Sequence, residues 1–248
     1  MKLIVTHGCS FTKYKWDCWP KFIPWFGKDF IVKNAGNAAS GNETIARGVV
    51  NSVMKNKNIE HMYIMWSGPD RYEVVRDTEQ RLKHELATYS RWEPDFNWCV
   101  WFGGHPDQEK HKEYQKHFLN EQHNYYRTLE HILYTQMFLD KHKVEYTMMI
   151  YNKHVLKDPN DPKSNSENAL HKQIDWTKFK FYKERFGLHE FAQRLYPDQF
   201  AEESDQHPLP LAHYHWVKDI IFKSDIVAPE HEYRKLKEWK ILNLKEKN

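Results

Sequence analysis

Apolar residues first gather at Leu3-Ile4-Val5 and then recur as short runs set between polar and glycine-bearing stretches. Compact apolar runs bounded by turn residues predict buried strands. Four stand out: Lys2 to Thr6, Phe30 to Lys33, His61 to Trp66 (HMYIMW) and Val144 to Tyr151 (VEYTMMIY). The period changes between them. From Glu43 onward Ile45, Val49, Val50 and Val53 share one helical face, spaced for burial against a sheet. A long amphipathic helix is predicted from about Glu109 to Lys141, and two more over Ala212 to Phe222 and Glu230 to Leu244. The aromatic-rich segment Trp19 to Phe26 reads as a further covering helix, although Pro20 and Pro24 interrupt it.

Strands alternating with helices predict an α/β fold: a three-layer αβα sandwich around a parallel, flavodoxin-like sheet. The chain has 248 residues and no Gly/Ser or Pro-rich divider, so residues 1–248 are read as one domain. Two helical and aromatic insertions, about 72–115 and 152–200, interrupt it, with polar surface loops expected at Gly103 to Lys110 and Lys157 to Asn168. No repeat suggests a solenoid. Ligands of such sheets gather at the carboxyl ends of the strands. Here those ends run into GCSFT, NAGNAASGN and SGPDR, all rich in Gly, Ser or Asn.

Composition narrows the partners. The 37 basic and 34 acidic residues leave a formal charge of +3, and the signs are interspersed except in a basic tail from Lys235. That pattern describes solvated helix faces and argues against nucleic acid as a partner. Most of the 16 histidines fall in polar surroundings. Cys9, Cys18 and Cys99 form no paired framework and no CxxC, which suits a reducing cytoplasm. No apolar run approaches the ~20 residues of a membrane helix, and no signal-peptide core is seen, so the expectation is a cytoplasmic protein without membrane contact. Nothing in the pattern specifies an oligomeric state.

Candidate chemistry begins at Ser10, displayed just after the first strand behind Gly8 and Cys9. A serine on a tight strand-end turn can serve as nucleophile, provided that a base and an orienting carboxylate reach it. Asp205 and His207, within Ser204-Asp205-Gln206-His207-Pro208, are the best partners. The plainer readings are a helix cap or turn for Ser10, a surface histidine for His207 and an approach cap for Asp205. Cys9 is read as a small buried residue. His207, His213 and His215 lack a carboxylate or cysteine to complete a zinc set, and Gly36 to Gly41 lacks the Lys-Ser/Thr of a phosphate loop. Neither a metal nor an organic cofactor is expected.

These segments, taken in order, resemble the SGNH (GDSL-like) hydrolase superfamily. Gly8-Cys9-Ser10 is similar to its G-D-S block, with Cys9 in place of Asp. Ser40-Gly41-Asn42 corresponds to its second-block glycine, and Asp205-Gln206-His207-Pro208 to its D-x-H-P block. The resemblance implies a Ser10–His207–Asp205 triad, with Ser10 and Gly41 backbone amides receiving the oxyanion. The third block departs from the family, because Ser67-Gly68-Pro69-Asp70 carries Pro69 where G-x-N-D has its oxyanion asparagine. Either Ser67 or Asn42 substitutes, or the hole has fewer donors. Loss of one donor typically costs ~10²–10³ in rate.

The implied activity is that of a serine esterase or acyl-hydrolase on a small-molecule or glycan ester, an O-acylated carbohydrate being one form. The rival is a catalytically weak or inactive SGNH-like module that binds glycan or serves a structural role. Asp70 and Arg71 are read as a salt-bridged loop. Trp92, Phe96, Trp98, Trp101 and Phe102 in the first insertion either pack it onto the sheet or cover the cleft. Trp176, Phe179, Phe181 and Tyr182 mark the second insertion.

Overall fold

The computed structural model describes residues 1–27, 29–75, 98–101, 113, 116–117, 121–156, 169–202 and 205–244, with backbone alone at 72–75, 98–101, 241, 242 and 244. Its strands are β1 (Lys2–Gly8), β2 (Phe30–Asn34), β3 (Ile59–Trp66), β4 (Tyr72–Val75), β5 (Trp98–Trp101) and β6 (Tyr146–Ile150). Four of them build a sheet in the order β2-β1-β3-β6, and each adjacent pair is parallel. Helices lie on both faces, so the architecture is the α/β sandwich predicted. The antiparallel pair β4–β5 is separate from that sheet and belongs to the first insertion. Trp98 and Trp101 lie on its second strand; Trp92, Phe96 and Phe102 fall outside the described residues, as do both predicted surface loops.

Side-chain parity explains why the sheet is buried on both sides. Successive strand residues point to opposite faces. Met62, Ile64 and Trp66 of β3, with Tyr146, Met148 and Ile150 of β6, face one layer. It is made by α1 (Asn42–Lys55) and α2 (Glu121–Lys141), which contribute Ile45, Val49, Leu129 and Ile132. Tyr63, Met65 and Met149 face the opposite layer, with Trp19, Phe22, Leu188, Phe191, Tyr214 and Trp216. A fully buried side chain of this size contributes about 1.5–3 kcal/mol, so a slip of one residue would turn both cores inside out.

Several elements differ from the sequence reading. Trp19–Trp25 is a 3₁₀ segment, not an α-helix. Pro24 has no N–H, and in an α-helix its ring would clash with the carbonyl of Pro20 four residues back, so the segment does not run as an α-helix. The remaining helices are α3 (Ala169–Gln173), α4 (Leu188–Leu195), α5 (Pro210–His215) and α6 (Glu230–Leu244). The helix expected over Ala212 to Phe222 begins as α5 and widens to π geometry over Trp216–Phe222. β1 runs two residues further than expected, so Gly8 is its last residue. The second insertion extends the sheet edge, because Phe179 bridges Met148 in parallel and Lys180 N–H donates to Met148 O at 2.9 Å. Its Phe179 and Tyr182 are buried in the core.

The histidines are also less polar in setting than expected. His7 is buried between β1 and α1, where Nε2 pairs with Ser52 Oγ at 2.9 Å. Gly48 makes room for it, since a Cβ there would lie 2.9 Å from the ring. Burial pushes His7 and His213 down to about 3, so both rings are neutral.

Candidate active site

The end of β1 forces a sharp change of direction. Gly8 has φ of +157°, and a Cβ on it would collide with the Thr12 hydroxyl and lie 2.9 Å from Met65 O of β3. The chain then closes a single turn, with Thr12 and Lys13 N–H both donating to Cys9 O at 2.8 and 3.1 Å. Cys9 points into the core and is fully buried. Ser10 is thereby left on the outer side of the turn, only 6% exposed. Thr12 also fills the space beside Gly36, which packs the first loop against the second.

The base arrives from the other end of the chain. Phe200 and Pro208 form an antiparallel bridge, Leu209 N–H donates to Gln199 O at 2.9 Å, and Trp16 Nε1 donates to Pro208 O at 2.7 Å. These contacts fix the bend that carries Asp205 and His207. Only Gln206 separates them, and the backbone curls because His207 N–H donates to Asp205 Oδ1 at 3.1 Å. The same oxygen meets His207 Nδ1 at 2.7 Å. His207 Nε2 lies 2.7 Å from Ser10 Oγ, across 197 residues of sequence. An ionised carboxylate only accepts, so Nδ1 carries the proton and Nε2 offers its lone pair to the serine hydroxyl.

The electrostatics are consistent with that tautomer. Burial pushes the His207 pKa below its ordinary 6.5; Asp205 opposes this, while the Arg71 and Lys15 charges reinforce it. Burial alone would raise Asp205, but hydrogen bonds from His207 and Tyr14 outweigh it and hold the carboxyl below 3.8. Lys15 reaches only 4.0 Å from Asp205 Oδ2 and is 73% exposed, so it contributes little.

The expected oxyanion residues separate by task. Gly41 is the N-cap of α1, and among the described residues neither its amide nor that of Ser10 has a hydrogen-bond acceptor. Asn42 does something else. Its Nδ2 donates to Ser67 O and to Thr128 Oγ1, both at 3.1 Å, and its Oδ1 accepts Ser67 N–H at 2.7 Å. Both amide protons are thus engaged in clamping the loop after β3 to the start of α1, which leaves none for a substrate oxygen. Ser67 is fully buried, and its hydroxyl has no partner among the described residues.

Three participants escape the sequence pattern. Tyr14 stacks on His207, with ring centroids 4.0 Å apart at 15°, and donates its hydroxyl to Asp205 Oδ2 at 2.9 Å. Burial, reinforced by Asp205, pushes that phenol up to about 12, so it remains a donor. Phe11 also packs against the imidazole, at 4.9 Å. Arg71, expected in a salt-bridged loop with Asp70, donates from Nη1 to Ser40 O at 3.1 Å. The signal for the aromatic pair was its position one and four residues after the serine. A cavity of about 350 Å³, walled in part by Tyr14, Trp16, Lys13 and Lys21, adjoins this turn.

No group of three or more His, Cys, Asp or Glu side chains that could hold a metal ion occurs among the described residues. No helix among them is long and apolar enough to cross a membrane. No family model matches the chain, and no match is found among curated proteins. The α/β sandwich and the geometry of its strand-end loops are what bear on function.

Proposed function

We propose that this chain is a serine esterase or acyl-hydrolase of SGNH type, working through Ser10, His207 and Asp205. One observation carries the reading: Ser10 Oγ lies 2.7 Å from His207 Nε2, and Asp205 Oδ1 lies 2.7 Å from Nδ1 of the same ring. A base within about 2.6–3.2 Å of its nucleophile, oriented by a third group, is the arrangement that activates a hydroxyl.

In the proposed reaction His207 Nε2 takes the Ser10 proton as Oγ bonds to the ester carbonyl carbon. The electron pair of the C=O bond moves to oxygen, and the Ser10 and Gly41 amides receive it. Asp205 stabilises the imidazolium, which returns its proton to the departing alcohol as the tetrahedral intermediate collapses. Water, deprotonated by the same nitrogen, then cleaves the acyl-serine, and the acid leaves with Ser10 restored. The proposed substrate is a small-molecule or glycan ester. The free, buried thiols of Cys9 and Cys18 suit a reducing, cytoplasmic setting.

A second reading, a catalytically weak or inactive glycan-binding or structural module, is favoured by the third loop. Pro69 has no donor, and Asn42 is committed to Ser67. The two are separated by turnover of p-nitrophenyl acetate: Ser10→Ala should abolish it while leaving the melting curve nearly unchanged. Undiminished turnover in that variant removes Ser10 from the mechanism, and no turnover by the wild type favours the module.

A further inference from the structure

The esterase reading leaves the oxyanion with backbone donors and no side-chain amide. We infer that Arg71 compensates as a positioning residue, fixing and polarising the peptide group that presents the Gly41 N–H. This rests on the esterase reading.

Arg71 stands two residues beyond Pro69 on the loop that leaves β3, and its Nη1 donates to Ser40 O at 3.1 Å. Ser40 C=O and Gly41 N–H are the two ends of one peptide unit. That unit is planar and trans, so its carbonyl and amide point in opposite directions. A cation holding the carbonyl therefore sets the direction of the amide. It also draws electron density toward the oxygen, which makes the N–H a stronger donor, as in any charge-assisted chain of hydrogen bonds.

The neighbouring backbone gives this contact something firm to act on. Ser40 is buried, and its N–H donates to Asn37 O at 3.3 Å. Asn37 N–H donates to Gly8 O at 2.9 Å, tying the second loop to the strand end that presents Ser10. On the other side Asn42 is clamped to Ser67. The Ser40–Gly41 peptide thus spans two fixed points, and Arg71 holds it from a third.

The Arg71 charge also acts on the base. It lowers His207 alongside burial, and it acts on Tyr151 in the same direction. Among the described residues, the other titratable groups that influence or face His207 are Asp205 beside it, Lys15 and Tyr14 on the turn after β1, and neutral His213 on α5. Removing Arg71 takes away a positive charge from this set, which raises the His207 pKa.

The test compares wild type, Arg71→Gln, Arg71→Lys and Ser10→Ala on p-nitrophenyl acetate, a neutral ester with no anionic group to bind. Arg71→Gln should lower kcat about 10–100-fold with KM nearly unchanged, since the contact serves the transition state. Its acid limb in kcat/KM should move to higher pH, and millimolar guanidinium should restore part of the rate. Arg71→Lys keeps the charge, so its acid limb should stay in place while kcat recovers only in part. Wild-type kcat with an unmoved acid limb in Arg71→Gln, or an effect confined to KM, overturns the inference while an inactive Ser10→Ala leaves the esterase standing. If Arg71→Gln does not fold, full kcat in Arg71→Lys overturns it. A wild type no faster than Ser10→Ala sinks both.

Discussion

At the scale of single residues, the imidazole of His207 is held by three different kinds of contact: a carboxylate, a hydroxyl and a stacked ring. Tyr14 supplies the third and also braces the first, because its hydroxyl donates to the free oxygen of Asp205. Tyr14→Phe keeps the stack and removes only that bond. A hydrogen bond to a charged group is worth about 1.5–3 kcal/mol, and Asp205 stays partly solvated, so kcat/KM should fall roughly 10-fold with little change in melting. A fall of less than twofold would relegate the hydroxyl to packing. The pH profile follows from the same environment. His207 must be neutral to accept a proton, and its pKa is depressed below 6.5. Activity should therefore rise through a midpoint below pH 6.5 and be level at neutrality. A rise centred above pH 7 would mean that a different base is in use.

At the scale of elements, the site exists because strands stop where they do. Gly8 ends β1 with a backbone conformation and a closeness to Met65 O that a side chain cannot share. Gly8→Ala should lose about 1–3 kcal/mol of stability from overpacking, read as a shifted denaturation midpoint, and activity should fall with it because Ser10 is displaced. An Ala variant of wild-type stability and rate would show that the turn is not under this constraint. The strands were legible because each carries a compact apolar run, and the loops because Gly, Ser and Asn collect where β1, β2 and β3 end. Asp205 and His207 were legible because their motif is local in sequence. Tyr14 and Arg71 were not, since their partners lie far away: Tyr14 meets Asp205 across 191 residues and Arg71 meets Ser40 across 31. Asn42 misled for the same reason. A side chain able to donate says nothing about which carbonyl will claim it first. At Trp19–Trp25 the prolines that interrupt the aromatic run were visible in the sequence, and the segment is 3₁₀ rather than α-helical.

At the scale of the whole molecule, the interior holds several imidazoles as neutral groups. Burial lowers His7 and His213 to about 3, and His61 and His131 to about 4. An unfolded chain would protonate each near 6.5, so acid favours unfolding. Stability contributed by these rings is present above pH 6.5 and is lost as pH falls through the range from 6.5 toward 3. Urea midpoints measured across that range should decline with acidification, and the paired change His7→Leu with Ser52→Ala should flatten the decline. An unaltered slope in the pair would mean that His7 is not buried as a neutral ring. The same folded frame brings Ser10 and His207 together from opposite ends of the sequence, and everything proposed about function depends on that meeting. Its most direct test is mass-spectrometric mapping of the folded protein after treatment with a fluorophosphonate, which captures only a serine whose proton a neighbour can take. The expected result is a single adduct on Ser10, lost when His207 is replaced by Gln. A folded protein with Ser10 unmodified, or an adduct on Ser10 that persists without His207, would contradict the triad.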